Sequence, residues 1–292
     1  MDKSKKRILQ SVYNGLSSFF SNTGKTLSSL MRMCLLSSIP VAIKSKKYCN
    51  LKGTENCCVL GNGPSLKDDL DNRIVRYEGN DVFCVNMFCS SEFFRIIKPR
   101  FYFLIDGSYF SPTTERNKAL VRELIKAFQE VDWEMFLMIS TLSVSGGELL
   151  NSLNNDNIKL IKLNSTEVNG FKGFRRFFYR KRMGMPRCQT VVNFALCAAV
   201  NMDYKNIYLY GADHTWTRDL FVDKDNVVCY GDRHVYNKNL AIVKKNNNFA
   251  YLLGQFAKMF QAHYLIEDYS KSQGVKIWNC SSDTFLDAYE RI

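Results

Sequence analysis

The stretch Cys57-Cys58-Val59-Leu60-Gly61-Asn62-Gly63-Pro64-Ser65-Leu66 indicates a strand, a glycine-rich turn and the start of a helix. Its first four residues are apolar or small, as in a buried strand, and the turn follows at once. Gly61 and Gly63 would let backbone N–H groups approach an anion, and Ser65 is suited to cap the helix. The pattern therefore predicts a phosphate-binding loop for a nucleotide, although a tight turn without a ligand also accounts for it.

Strands and helices alternate through the chain after this loop. Short apolar runs rich in β-branched and aromatic residues predict strands at Cys57–Leu60, Asp81–Asn86, Phe101–Ile105, Met135–Ile139, Ile158–Leu163, Ile207–Tyr210 and Lys276–Trp278. Helical patterns occupy Lys118–Glu130, Thr190–Asn201 and parts of Asn239–Gln273. We therefore predict the α/β class, with a single Rossmann-like domain over residues 53–292. Its sheet is mainly parallel, helices cover both faces, and ligands bind beyond the carboxyl ends of the strands.

Positive charge is concentrated at the N-terminus. Residues 1–52 contain ten Lys and Arg and one acid, so this arm carries +9 of the formal net charge of +12 and the rest of the chain only +3. That distribution argues against a body that binds nucleic acid. Ile8, Leu9, Val12, Leu16, Phe19 and Phe20 recur at helical spacing in the arm. They favour an amphipathic helix at the inner surface of a membrane, with a disordered leader as the alternative and no transmembrane span.

The cysteines and histidines give no metal-binding pattern. Ten cysteines without Cys-x-x-Cys spacing lie mostly in apolar runs, which predicts reduced core residues and a cytoplasmic protein. The chain has three histidines, too few for a zinc site built on closely paired ligands. Asp223-Lys224-Asp225 has an Asp-x-Asp form, but the polar turn around it fits a hairpin, and Lys224 would oppose a cation. We expect neither a metal nor another cofactor.

Polar residues follow three of the predicted strands. Asn62 and Ser65 follow the first, Asn86 ends the second, and Asp106 with Gly107 follows the third. Any one of them alone is typical of a turn or a helix cap. Their recurrence at successive strand ends instead favours a nucleotide site, because an amide side chain both donates and accepts hydrogen bonds to ribose, phosphate or a base.

A fourth strand end combines acidic and histidine residues. Ile207–Tyr210 leads into Gly211-Ala212-Asp213-His214, and His234 follows about twenty residues later beside Asp232. Histidine is the natural general base near neutral pH, and a neighbouring carboxylate can orient it. Catalysis and a structural role remain open for this pair, whereas the helical pattern around His263 favours packing.

The order of these motifs resembles the family 42 bacterial sialyltransferases that decorate lipooligosaccharide. The loop at 61–66, Cys-x-Asn-x-Phe at 84–88, Ile-Tyr-Leu-x-Gly-x-Asp at 207–213 and a later histidine carry the resemblance over Cys57 to Ile292. Gly-Ala-Asp-His is similar to a broader superfamily of surface-polysaccharide proteins related to 6-hydroxymethylpterin diphosphokinase. The resemblance implies a GT-A type Rossmann-like domain that acts without metal on a CMP-linked sugar. It places Asn62, Asn86 and Thr190 at the donor and makes His234 the base. Gly211, at the fourth strand end, is a further candidate for the donor site.

The chain departs from that family after the fourth strand end. The sialyltransferases place tyrosine hydroxyls on the leaving phosphate there, whereas this sequence has Thr215-Trp216-Thr217-Arg218. Arg218 would serve as a permanent cation, and Tyr230 or Tyr236 would supply a hydroxyl. The identity of the nucleotide-activated sugar therefore stays open.

A second basic cluster alternates with aromatic residues at positions 171–182. Its composition suits a membrane interface, a lipid-linked acceptor or single-stranded nucleic acid, and equally a mobile lid over the donor. We predict a membrane-associated glycosyltransferase of cell-surface glycan assembly, with sialic acid from a CMP-linked donor as the expected substrate. The alternatives are a magnesium-dependent pyrophosphokinase that uses Asp106 and Asp213, another nucleotide-sugar transferase, and a non-catalytic membrane scaffold. Homo-oligomerisation is left open.

Overall fold

The computed structural model describes residues 3–72, 75–143, 147–234 and 237–292. The side chains of Lys3 and of residues 232–241 fall outside this description. Its centre is a sheet of eight parallel-paired strands. They are β1 (Asn56–Leu60), β2 (Asp81–Val85), β3 (Phe101–Leu104), β4 (Met135–Ser140), β5 (Ile158–Leu163), β6 (Asn206–Tyr210), β10 (Lys276–Asn279) and β11 (Glu290–Arg291).

The strand order places a topological switch point at β1. The order across the sheet is β11-β10-β6-β1-β2-β3-β4-β5, so the chain runs outward from β1 to β5 and then returns to β6 on the other side of β1. At such a point the loops after the two strands separate in opposite directions and leave a crevice at the carboxyl edge. The loops after β1 and β6 carry the Gly-Asn-Gly-Pro-Ser and Gly-Ala-Asp-His motifs.

Helices cover both faces of the sheet, as the alternating pattern predicts. One apolar core contains residues of α7 (Lys172–Arg180), α8 (Val191–Asn201) and α9 (Phe249–Ser272). The core on the opposite face contains residues of α3 (Ser65–Asp71), α4 (Phe93–Ile97), α5 (Glu115–Gln129) and α6 (Glu148–Asn151). The predicted fold class, a mainly parallel Rossmann-like α/β domain, is confirmed.

An antiparallel ribbon leaves the main sheet after β6. It consists of β7 (Leu220–Val222), β8 (Val228–His234) and β9 (Asn237–Lys245), and the turn at Asp223–Asn226 joins β7 to β8 as expected. The range Asn239–Gln273 contains the predicted helix, α9, but its first residues, 239–245, belong to β9, which pairs with β8. The helical pattern begins at Phe249, after Asn248 caps α9 by accepting a hydrogen bond from the Tyr251 N–H.

The N-terminal arm is helical and its second half packs against the body. It forms α1 (Lys3–Leu36), α2 (Ile39–Ser45) and a 3-10 segment (Lys46–Leu51). Met33 joins the core on the α8 face, and Ser29 exchanges hydrogen bonds with the backbone of Asn169. In the described part of the chain, no single helix is long and apolar enough to span a membrane. Taken together across a bend of 89°, Ser4–Leu36 and Ile39–Leu51 reach that length and composition.

The ten cysteines are all free, in agreement with the prediction of reduced residues. Six of them are buried: Cys57, Cys58, Cys84, Cys197, Cys229 and Cys280. Five of them lie in strands or helices and Cys280 directly follows β10, and they fill space as small apolar residues do.

Candidate functional site

A cavity of about 680 Å³ lies at the switch point between β1 and β6. Eight residues predicted from the sequence line it: Asn62, Gly63, Asn86, Asp106, Thr190, Gly211, Asp213 and His214. The fold therefore brings together side chains from four strand ends and one helix start. Gly61, Ser65, Gly107 and Arg218 lie outside this lining.

The loop after β1 packs directly on the loop after β6. The N–H of Gly61 donates to the Tyr210 carbonyl and that of Gly63 to the Gly211 carbonyl, both at 2.8 Å. A Cβ atom on Gly63 would lie 2.6 Å from the Gly211 carbonyl oxygen and would also overlap the Asp213 carboxylate. Because these N–H groups are already bonded within the protein, the expected role of Gly61 and Gly63 as anion donors is corrected: they permit close contact between the two loops.

The carboxylate of Asp213 joins the same two loops. It accepts hydrogen bonds from the Ser65 N–H at 3.0 Å and the Ser65 hydroxyl at 2.5 Å, and it is buried. Burial raises the pKa of Asp213 to about 6, although the bonds from Ser65 act in the opposite direction. The Asp213 carboxylate thus accepts the hydrogen bond from the first N–H of α3, the place predicted for a phosphate. Asp213 is therefore a positioning residue for the loop that carries Asn62.

Two residues that line the cavity, Asn62 and Asn86, have buried amide oxygens without a hydrogen-bond partner. Asn62 donates through Nδ2 to the Val85 carbonyl at 3.0 Å, which fixes the orientation of its amide, while its buried Oδ1 stays unpaired. The buried Oδ1 of Asn86 is also unpaired, on a residue with φ of 48°. Since a buried polar atom without a partner is costly, both oxygens are suited to accept hydrogen bonds from a ligand.

The start of α8 forms another part of the cavity wall. Thr190 caps this helix through a reciprocal capping box with Asn193, and Gln189, Thr190 and Val191 line the cavity. The positive end of the helix dipole therefore lies at the cavity. The buried Nδ2 of Asn193 has no partner. Asn193 was not predicted from the sequence, because it falls inside an apolar helix pattern.

His214 belongs to a buried chain of hydrogen bonds. Its Nε2 lies 3.1 Å from Nε2 of His263, whose Nδ1 lies 2.8 Å from the Tyr289 hydroxyl. Burial lowers the pKa of His214 to about 3. Burial also lowers the pKa of His263 well below its usual range, and the charge of the neighbouring His214 acts in the same direction. A neutral imidazole with so low a pKa is a weak base. His214 therefore shapes the cavity wall, and His263 is the packing residue that the sequence predicts.

Arg218 does not occupy the position predicted for a phosphate-binding cation. Its guanidinium pairs with both carboxylate oxygens of Asp283, at 2.7 and 3.0 Å, and stacks near Phe285. Among the described residues that line the cavity, Lys245 on β9 is the cation. Lys245 was not predicted from the sequence, because it lies in a segment where the pattern indicates helices and shows no strand that leads to the site.

The remaining predicted residues divide between the cavity edge and the undescribed segment. Asp106 lines the cavity and caps the 3-10 turn Gly107–Tyr109 by accepting from the Ser108 N–H at 2.8 Å. His234 ends β8, the strand whose Tyr230 and Gly231 line the cavity. The side chain of His234 and the whole of Tyr236 lie outside the described residues, so both roles remain predictions.

Aromatic residues form the side of the cavity next to the ribbon. Trp216 stacks on Phe256 with ring centroids 6.0 Å apart, and Tyr230 meets Phe256 edge to face at 6.2 Å. Tyr251 also lines this side and is half exposed. The cavity therefore has a polar half at the strand ends and an aromatic half at the ribbon and α9. The sequence shows no pattern that joins these residues.

The basic cluster at 171–182 is largely committed to internal contacts. Lys172, Arg175 and Arg176 all pair with Asp268 of α9. Although burial alone would raise the pKa of Asp268, hydrogen bonds from Arg176 and Lys172 hold it at about 2. These three cations tie α7 to α9, and the membrane or lid contact of residues 171–182 stays a prediction.

Asp223, the first residue of the Asp-x-Asp form, has other partners in the structure. Asp223 accepts hydrogen bonds from the N–H groups of Asp225 and Val227 and pairs with Lys244 in the hairpin. Among the described residues, no group of three or more His, Cys, Asp or Glu is placed to hold a metal ion.

Comparison with solved structures gives distant similarity, and comparison with sequences gives none. No protein-family model matches the sequence, and no curated protein matches it. The solved structure of the MAf glycosyltransferase from Magnetospirillum magneticum AMB-1 is similar over 86% of this chain, with 14% sequence identity and a TM-score of 0.49. This chain spans 38% of the length of that protein.

Proposed function

We propose that this protein is a glycosyltransferase that takes sialic acid from a CMP-linked donor held in the switch-point cavity. The observation that carries the proposal is the pair of unpartnered amide oxygens, on Asn62 and Asn86, at neighbouring strand ends of one cavity. The order of the motifs that resemble family 42 sialyltransferases supports the choice of donor.

The chemistry of the two oxygens indicates which part of the donor they meet. An amide oxygen accepts hydrogen bonds, so it fits a ribose hydroxyl or the amino group of cytosine and not a phosphate oxygen. The phosphate then belongs near the start of α8 and Lys245, where a helix dipole and an ammonium group offer positive charge. The aromatic half of the cavity, with Trp216 and Phe256, is left for the apolar face of a sugar ring.

In the proposed reaction His234 takes the proton from an acceptor hydroxyl. The acceptor oxygen forms a bond to the anomeric carbon of sialic acid while the bond from that carbon to the phosphate oxygen breaks, and CMP leaves with the electron pair. Support for His234 comes from its position on β8, three residues beyond the cavity-lining Gly231. His214, the other histidine considered for the base, is neutral and lies buried against His263.

A thermal-shift panel of CMP, CDP, UDP, GDP and ATP, each with magnesium or EDTA, tests the donor. We expect CMP in EDTA to raise the melting temperature by several degrees, since ligand at a hundred times its Kd adds about 2.7 kcal/mol. A shift with a nucleoside diphosphate or triphosphate alone would overturn the CMP assignment. No shift with any nucleotide would favour the non-catalytic scaffold.

The transfer step is tested by release of CMP from CMP-sialic acid in the presence of a panel of glycan acceptors. His234→Ala is expected to lower turnover by at least about a hundredfold with CMP binding retained, as for removal of a general base. Turnover equal to that of the wild type would remove His234 from the mechanism.

A further inference from the structure

Helix α1 has an apolar face that is exposed along most of its length. Leu9, Val12, Leu16, Phe20, Leu27 and Met31 lie on one side of the helix at a spacing of three, four or seven residues, and they form what we call the α1 strip. Each of these side chains is 54–70% exposed. Single exposed apolar residues are ordinary, but a continuous row of this size marks a binding surface.

The α1 strip is separate from the face that attaches the helix to the body. Ser29 and Met33 are buried against the body, and Arg32 pairs with Glu167 at 2.8 Å. At 3.6 residues per turn, Ser29 and Met33 lie roughly 140° around the helix from the middle of the strip. The α1 strip therefore takes no part in the contact between α1 and the body. A partner that is not part of the described chain is needed to cover it.

The charge of the arm selects the kind of partner. Helix α1 contains no acidic residue, and Lys5, Lys6 and Arg7 are exposed at its start. Exposed lysines also follow the strip, at Lys44, Lys46 and Lys47. A second copy of the arm would bring equal positive charges together, whereas an anionic lipid surface attracts them and receives the apolar side chains as well.

The opposite face of α1 determines how the helix lies on the lipid. Gln10, Asn14, Ser21 and Lys25 run along that face, so a helix that crossed the bilayer would place amide, hydroxyl and ammonium groups in hydrocarbon. A helix parallel to the surface keeps them in water. We infer that α1 docks the protein on anionic membranes, with the strip sunk into the interface and the helix in its plane.

This docking would orient the body as well as recruit it. Helix α1 has 34 residues, a length of about 50 Å. Ser29, Arg32 and Met33 fix its second half to the segment at residues 167–169 and to the core. The domain would therefore approach the membrane in one orientation.

Vesicle flotation of the full chain tests this inference with two matched variants. Leu16→Gln with Phe20→Gln changes the strip, and Ser11→Gln with Ser21→Gln changes exposed positions on the polar face; neither alters the charge. We expect wild type to float with phosphatidylcholine vesicles that contain phosphatidylglycerol. The strip variant should lose at least about tenfold in affinity, because two large apolar side chains leave the interface. The polar-face variant should stay within about twofold.

Circular dichroism and sedimentation velocity accompany the flotation. Equal binding by both variants would overturn the role of the strip and leave charge alone as the cause. Failure of the wild type to bind vesicles would overturn the inference. A wild-type dimer that the strip variant abolishes would assign the strip to a second copy. Retention of the wild type after alkaline carbonate extraction would overturn the in-plane position.

Discussion

The Ser65 hydroxyl lies 2.5 Å from the Asp213 carboxylate, and this bond joins the two loops that flank the switch point. Ser65 begins α3 after β1, and Asp213 follows β6. A second bond from the Ser65 N–H makes the contact bidentate. The geometry of the cavity at Asn62 therefore depends on a contact between residues 148 positions apart in the chain.

The first prediction concerns the pH dependence that Asp213 gives to stability. Its folded pKa is about 6, above the value of about 3.9 for an unfolded Asp. Between these values the folded carboxyl holds a proton that the unfolded chain has lost, so the contribution of Asp213 to the free energy of unfolding falls as pH rises. As pH rises from 4 to 7, the free energy of unfolding of Asp213→Asn, measured with urea, should increase by about 1–3 kcal/mol relative to that of wild type.

The amide that Asp213→Asn introduces adds a donor near Ser65, which shifts the difference by a constant amount and leaves its slope unchanged. A difference between wild type and variant that is flat across this pH range would contradict the raised pKa of Asp213.

The second prediction tests the close contact of the two loops. Gly63→Ala places a methyl group against the Asp213 carboxylate and the Gly211 carbonyl, and we expect a loss of at least about 2 kcal/mol in the free energy of unfolding. Gly15→Ala is the matched control, because a Cβ there meets nothing within 4 Å on the exposed helix α1. That control should stabilise the helix by up to about 1 kcal/mol. Equal effects of the two substitutions in urea unfolding would count against the contact.

The strands were predictable because each is a short apolar run with its own boundaries. Cys57–Leu60 and Ile207–Tyr210 needed no knowledge of the rest of the chain to be recognised as strands. The use of the Gly61 and Gly63 N–H groups was not predictable in this way. Their partners are the carbonyls of Tyr210 and Gly211, and sequence pattern does not show which distant loop approaches.

The ribbon and the cations also have features that the sequence shows and features that depend on tertiary contacts. Residues 239–245 have no helix-breaking residue, and their pairing with β8 decides their strand conformation. Arg218 has the charge for a phosphate, but Asp283, 65 residues later, takes its guanidinium. Lys245 reaches the cavity because β9 ends there. Residue type is visible in a sequence, whereas the partner of each side chain depends on tertiary packing.

The third prediction concerns the buried histidines. His214 has a folded pKa of about 3 and His263 a strongly lowered one, against about 6.5 in the unfolded chain. Their contribution to stability is complete above pH 6.5 and is lost as pH falls towards the folded values. His214→Leu with His263→Leu should therefore reduce the acid sensitivity of the free energy of unfolding, by up to about 1.4 kcal/mol per pH unit for each histidine.

Leu is close to His in volume, so the double variant should remain folded at neutral pH, which near-ultraviolet circular dichroism checks. Urea unfolding at pH 4 to 7 measures the slope. The same slope in variant and wild type would show that these histidines titrate as exposed ones do.

The last prediction addresses the unpartnered oxygens of Asn62 and Asn86. Asn62→Ala removes one of them, and Asn86→Gly removes the other while tolerating the φ of 48° at that position. Each change should weaken CMP binding by about five- to a hundredfold, as expected for loss of a hydrogen bond to a buried group. Asn14→Ala, on the exposed part of α1, is the control and should bind CMP as wild type does.

Isothermal titration calorimetry measures the affinities, and urea unfolding without ligand shows whether the fold has changed. Loss of an oxygen without a partner in the protein should cost little stability. Asn62→Ala also removes the bond from Nδ2 to the Val85 carbonyl, and the unfolding measurement separates that cost from the change in affinity. Undiminished CMP affinity in both variants would mean that the two oxygens do not contact the nucleotide. That result would contradict the proposed donor site.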